Sequence, residues 1–240
     1  PKGMVPTSMG AAVAVYLNEG FTALAQGVSL TRRSREDVIT VSVAPVFAMK
    51  WLVSRLGRFA QAQPDIRVQI DASVDLVEPR YGAVDACIRV GTGNWPRVRV
   101  EEMLSQRVFP VCAPSLADKL RELSVLTRVP IIRERAYRLF GWDAWLTPNN
   151  MTDDQLGDGP VFSDASLCLD AAMAGQGVFL GLETLVQDTL NSGRLVAPFP
   201  GRFPIGVSYW FVEPEARRRP PQVEAFKSWL FAELKQGRRV

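Results

Sequence analysis

The chain has 240 residues, 47% hydrophobic and 22% charged, with a net charge of +3 at pH 7. That suits one large soluble domain or two modest lobes and excludes a disordered chain. There is no histidine, which removes Ser-His-Asp and Cys-His catalysis and every His-ligated metal site. Only five of the basic residues are lysines, and the small positive excess does not demand a nucleic-acid partner. Cys87, Cys112 and Cys168 are odd in number and widely spaced, without a C-x-x-C pair. A reducing cytoplasm is a simpler reading than a disulfide framework or a zinc site. No apolar run approaches the roughly 18 residues that span a membrane. The run from Ala11 to Leu17 stops at Asn18 and lacks the basic flank and cleavage site of a secretion signal.

Residues 1–8 are rich in Pro and Gly and do not begin with Met, so the chain is expected to be a piece of a longer protein. From Met9 to Val28, apolar residues recur at spacings of three and four: Met9, Val13, Leu17, Phe21, Leu24 and Val28. This predicts one long helix with a narrow seam, packed either on its own domain or against the same helix of a second chain. A basic, polar stretch from Thr31 to Asp37 follows. Val38, Ile39, Val41 and Val43 then read as a strand that Ala44-Pro45 breaks. Leu52, Leu56 and Phe59 recur at helical spacing, and Ile66, Val68 and Ile70 alternate with polar residues as a second strand. Strand, crossover helix and strand make a right-handed parallel unit. Ligands of such sheets sit beyond the carboxyl ends of the strands, here the corner Ala44-Pro45-Val46-Phe47.

Asp75 to Tyr81 is long enough for only a turn or two of helix, and Val84 to Val90 is a third strand. Gly91-x-Gly93 then reads as a plain turn, because it lacks the third glycine of a dinucleotide fingerprint. Val98 to Leu104 and Arg107 to Cys112 read as two further strands, and Ser115 as the cap of a short helix through Leu120. A second α/β unit begins near Val129. It has a short strand over Pro130-Ile131-Ile132 that ends at Arg133-Glu134-Arg135. An aromatic patch of Trp142, Trp145 and Leu146 reads as core filler. A strand at Val161-Phe162 precedes a helix capped by Ser163 or Asp164. Gly175-Gln176-Gly177 stops that helix before the strand Val178 to Leu180, and Glu183 to Leu190 is helical. Pro198, Pro200 and Pro204 mark an irregular return. Gly206 to Val212 is the last strand and Gln222 to Leu234 the closing helix.

Several stretches together resemble the regulatory part of LysR-type bacterial transcriptional regulators, in the branch of the β-lactamase and glycine-cleavage activators. They are VSVAPVFAMKWLVSRLGRFAQAQPDI, VDACIRVGTGNWP, PVCAPSLADKL, AAMAGQGVFLG, GRLVAPF and AFKSWL. The resemblance covers residues 3–234. It implies an α/β fold of two Rossmann-like lobes of the type 2 periplasmic-binding-protein kind, with hinge strands near Cys112-Ala113 and Pro204 to Gly206. Residues 1–35 would be the end of a wing and a dimerising linker helix. Residues 36–112 and 206–240 would form lobe I, and residues 113–205 lobe II. DNA-reading helices would lie upstream, outside this chain.

What the resemblance implies for function is an effector sensor that forms dimers and tetramers, contacts promoter DNA through the helix-turn-helix domain, and has RNA polymerase as a further partner. No cofactor, metal, membrane or catalytic residue is expected. The family's corner hydroxyl is replaced here by Val46, leaving the N–H groups of Phe47 and Ala48 to attract an anion. Glu78 falls at an acidic pocket position, Gly91 ends its strand on the cleft side, and Arg133 sits at a polar effector contact. Ser163 and Asp164 lie at the facing corner, and Tyr209 matches a pocket tyrosine. Each has a structural alternative: a helix cap, a surface charge, a packed ring. A secreted or periplasmic solute-binding protein would share the fold, but the long first helix, basic balance and unpaired cysteines oppose it. An enzyme is disfavoured because the cysteines have no partner base.

Overall fold

A computed structural model of the chain describes residues 6–32, 37–73, 84–135, 139–215 and 219–237. The Asp75 to Tyr81 segment, with Glu78, lies outside the described residues. The first helix, α1 (Ser8–Arg32), starts where Thr7 caps it: the Gly10 N–H donates to Thr7 Oγ1 at 3.1 Å. The described side chains of its predicted seam, Met9, Val13, Leu17, Phe21 and Leu24, are exposed. Met9, Phe21 and Leu24 are 76%, 68% and 68% exposed.

β1 (Val38–Val43) buries Ile39, Val41 and Val43 and pairs in parallel with β2 (Arg67–Ala72) and β3 (Ala86–Gly91). The crossover between β1 and β2 is one continuous helical rod in three parts: α2 (Pro45–Phe47), a π turn (Ala48–Leu52) and α3 (Val53–Ala62). Pro45 suits the first helical position, since its missing N–H would be unpaired there anyway. The extra residue of the π turn lets Phe47, Ala48, Trp51 and Leu52 all reach the core.

The expectation of two strands between Val98 and Cys112 is corrected. They form one 14-residue strand, β4 (Val98–Val111), carried through two register shifts against β8 (Phe203–Pro214). The polar Ser105-Gln106 pair that suggested a break sits at one of them, and the Gln106 amide donates to the Leu104 carbonyl at 2.8 Å. A bulge of this kind bends a strand without ending it. After the short α4 (Pro114–Ala117) come β5 (Ile131–Glu134), α5 (Asp143–Leu146), β6 (Val161–Phe162), α6 (Ala165–Met173), β7 (Val178–Leu182) and α7 (Glu183–Asn191). Trp142, Trp145 and Leu146 are buried, as core filler should be. Gly177 allows the turn into β7 because a Cβ there would stand 2.4 Å from the Pro130 carbonyl oxygen. α8 (Pro221–Gly237) closes the fold, with Phe226 and Leu230 fully buried.

The sheet order is β2-β1-β3-β8-β4-β7-β5-β6. β1 to β3 form one parallel set and β5 to β7 another, and the two long strands β4 and β8 cross between them. The result is a two-lobed α/β fold with a cleft at the crossing.

Candidate functional site

Two strand-to-helix corners carry the predicted residues. The first follows β1. Val46 is half-buried and Phe47 fully buried. The Phe47 ring lies 4.5 Å from the Tyr209 ring and 5.0 Å from that of Trp51. Tyr209 is itself fully buried and so forms the floor of this corner. Gly91 stands one residue from it across the sheet, paired with Ser208, and its carbonyl accepts from Trp210 Nε1 at 2.9 Å.

One expected anion donor is corrected. The Ala48 N–H donates to the Ala44 carbonyl at 3.0 Å, so it belongs to the helix. The amides left by helix geometry are those of Val46 and Phe47, because Pro45 has none. Among the described residues no side-chain cap closes this helix end, since its cap position is Ala44.

The second corner follows β5 and β6. Asp164, and not Ser163, is the cap of α6: its Oδ1 accepts from the Ser166 N–H at 2.8 Å. Ser163 is exposed beside it. Arg133 lies near the end of β5, and its Nη1 donates to Asp153 Oδ1 at 2.7 Å. Sequence spacing did not foresee that partner, twenty residues on. Nor did it single out Glu134, although Glu134 adjoins Arg133 at the strand end. Burial, then the like charge of Asp164, pushes the Glu134 carboxyl up to about 7, against the opposing hydrogen bond of the Ala165 backbone. A cavity of about 330 Å³ opens beside Arg133 and Glu134, walled by Phe140, Trp142, Asp153 and Phe179.

The helices that follow the two corners touch. Lys50, in the helix that starts at Pro45, donates to Asp170 of α6 at 2.7 Å across the lobes. Val46, Phe47, Gly91 and Tyr209 belong to the first corner, and Arg133, Glu134, Ser163 and Asp164 to the second. A second link between the lobes is the bidentate pair of Arg55 with Asp188, at 2.7 Å for both contacts.

The cysteines do not contribute reactive groups. Burial raises Cys87 and Cys112 to about 11, and burial with the charges of Glu134 and Asp164 raises Cys168 to about 12. Among the described residues no cluster of three Cys, Asp or Glu side chains could hold a metal ion.

A family model described as the LysR substrate binding domain matches residues 32–235. The glycine cleavage system transcriptional activator of Escherichia coli K12 is 31% identical over 236 residues, covering 96% of this chain and 76% of the relative. The HTH-type transcriptional activator AmpR of Rhodobacter capsulatus is 30% identical over 95% of this chain and 78% of its own length. The effector domain of the transcriptional regulator AmpR of Pseudomonas aeruginosa superposes with a TM-score of 0.70 at 25% identity, covering 84% of this chain and 97% of that domain. The chain belongs to the LysR substrate-binding domain family, the effector-sensing part of LysR-type transcription regulators.

Proposed function

We propose that the effector of this chain is a small zwitterionic or hydroxylated acid, held in the cleft between the Val46–Phe47 corner and the Glu134–Asp164 corner. The observation that carries this reading is the Lys50–Asp170 contact, which brings two unlike helix starts to one cleft. The uncapped amides of Val46 and Phe47 suit the anionic end. The acidic side chains of Glu134 and Asp164 suit an ammonium or hydroxyl group. Arg133, engaged by Asp153, borders the ligand and Tyr209 supports its floor from below. A ligand touching both lobes selects one hinge angle, by no more than its difference in affinity for the two states.

In this reading residues 36–112 and 206–240 make lobe I, residues 113–205 lobe II, and residues 1–35 a linker that pairs with that of a second chain. The exposed seam of α1 supports the pairing: Met9, Val13, Leu17, Phe21 and Leu24 are all open to solvent in one chain. The protein works as a cytoplasmic, non-enzymatic sensor whose state is passed to promoter DNA through the regulator's helix-turn-helix part.

The test is a thermal-shift screen of amino acids and hydroxy acids, followed by calorimetry. Val46→Asp places a carboxylate at the open helix end and should weaken the ligand about tenfold or more, each tenfold being about 1.4 kcal/mol. Glu134→Gln should weaken an ammonium-bearing ligand to a similar extent. A ligand indifferent to both substitutions would move the site away from this cleft.

A further inference from the structure

The helical rod that crosses from β1 to β2 carries two cations aimed at the other lobe. Lys50 reaches Asp170 of α6, which precedes β7, and Arg55 reaches Asp188 of α7, which follows β7. The rod belongs to the lobe of β1 to β3 and both partners to the lobe of β5 to β7, so the two pairs span the halves that β4 and β8 join.

The two contacts are unequal. Lys50 makes one bond at 2.7 Å to a carboxylate that is 58% exposed, and such a pair adds little. Arg55 is held on three sides. Its Nη1 and Nη2 donate to the two oxygens of Asp188 at 2.7 Å each. Nη1 also donates to the Trp51 carbonyl at 2.8 Å, and the guanidinium lies 4.4 Å from the centroid of the Trp51 ring. The Arg55 side chain is only 12% exposed, and Trp51 is buried and stacked on Phe47. A planar fork fixed against an aromatic face loses little freedom on meeting a carboxylate, and a shielded bidentate pair is stronger than an open single contact.

Backbone geometry explains why both cations turn the same way. Lys50 and Arg55 are five residues apart, which on an uninterrupted α-helix sets side chains about 140° from each other. The π turn at Ala48–Leu52 intervenes, with the Val53 N–H donating to the Ala48 carbonyl five residues back. Its wider turn takes up part of that angle and brings both side chains toward α6 and α7.

We infer that Arg55 and Asp188 form a latch that sets the resting angle between the lobes without a ligand, with Lys50 and Asp170 as its weaker companion. None of these four residues is among the proposed effector contacts, so the latch acts on the hinge whatever occupies the cleft. An effector that favours another angle has to break the latch, and its apparent affinity falls with the unlatched fraction. One that fits the latched angle meets a preset cleft and is spared the cost of ordering it.

Double electron–electron resonance reads the angle directly. Gln61→Cys on α3 and Lys119→Cys between β4 and β5 place spin labels on exposed sites of the two lobes, while Cys87, Cys112 and Cys168 are buried. The labelled 240-residue chain is diluted into excess unlabelled chain, so that only distances within one chain are read, and no ligand is added. The parent should give one narrow distribution. Asp188→Asn keeps the side-chain shape without the charge and should raise the ratio of displaced to resting arrangement about tenfold, equivalent to about 1.4 kcal/mol. Lys50→Gln should raise it less. Arg55→Asp and Asp188→Arg should each widen the distribution, and the two together should recover most of the parent's narrow one. Arg58→Gln breaks a pair with Glu233 of α8, which packs on β1, and should leave the distribution as in the parent. Circular dichroism melting separates a loosened angle from a lost fold. An Asp188→Asn distribution that overlays the parent's, an equal shift in Arg58→Gln, or a double reversal no narrower than either single one would each overturn the latch.

Discussion

The two helix starts whose helices meet at Lys50 and Asp170 are built from opposite materials. The first has an aromatic base, Phe47 stacked on Trp51 and tilted against Tyr209, and among the described residues its Ala44 cap position supplies no side chain to its amides. The second has a polar base, with Asp164 closing the helix from within and Glu134 beside it. A helix start left open favours an anion from outside, whereas one already capped by a carboxylate repels it. The same element of secondary structure therefore gives the two helix starts contrary preferences, and the proposed amphoteric ligand is the kind that would satisfy both. The ion pair that brings them together contributes little energy of its own, about 0–1 kcal/mol, because Asp170 is largely exposed.

The largest expected effect tests the aromatic base. Phe47→Ala removes a fully buried ring from the contact with Tyr209 and Trp51 and should cost about 3–5 kcal/mol in urea unfolding. A loss under about 1 kcal/mol would mean that this corner is loosely packed and the contrast between the walls is false. The polar wall should respond less. Asp164→Ala removes a cap worth about 1 kcal/mol, yet it also relieves Glu134 of a like charge. Its cost measured by urea should therefore be greater below the Glu134 titration than above it, and a cost independent of pH would separate the two carboxylates.

The first βαβ unit was legible because its period changes from two to nearly four at Ala44-Pro45, a signal carried by neighbouring residues. The same holds for Asp164 as one of two possible caps and for the buried Trp142 and Trp145 at α5. What escaped was decided by distant residues or by backbone detail. Ser105-Gln106 looks like a break until β8 is alongside, when the long strand continues through a bulge. The π turn at Ala48–Leu52 leaves the apolar spacing almost unchanged, so nothing in the sequence announces it. Arg133 reads as an available cation because Asp153 meets it only in the folded chain. Glu134 was passed over for the same reason: its burial and the nearness of Asp164 are products of the fold.

The last effect is a pH dependence at Glu134, which distinguishes the second helix start from the first. Its carboxyl goes from an ordinary value of 4.5 to about 7 on folding, chiefly by burial and then by the charge of Asp164. Raised in the folded state, the group favours folding while it is protonated. That contribution is fully present below pH 4.5 and is lost as pH rises through about 7. The group keeps partial contact with solvent, so the loss is smaller than full burial would give. Glu134→Gln has no charge to form, and its melting temperature should fall less than the parent's between these limits. The variant should be the more stable protein above pH 7. Asp164 and the neighbouring Cys168 and Arg133 are unchanged in the variant, so the difference between the two profiles belongs to Glu134. Parallel profiles for parent and variant would show that Glu134 is ionised at its ordinary value, leaving Asp164 as the polar wall's only source of contrast.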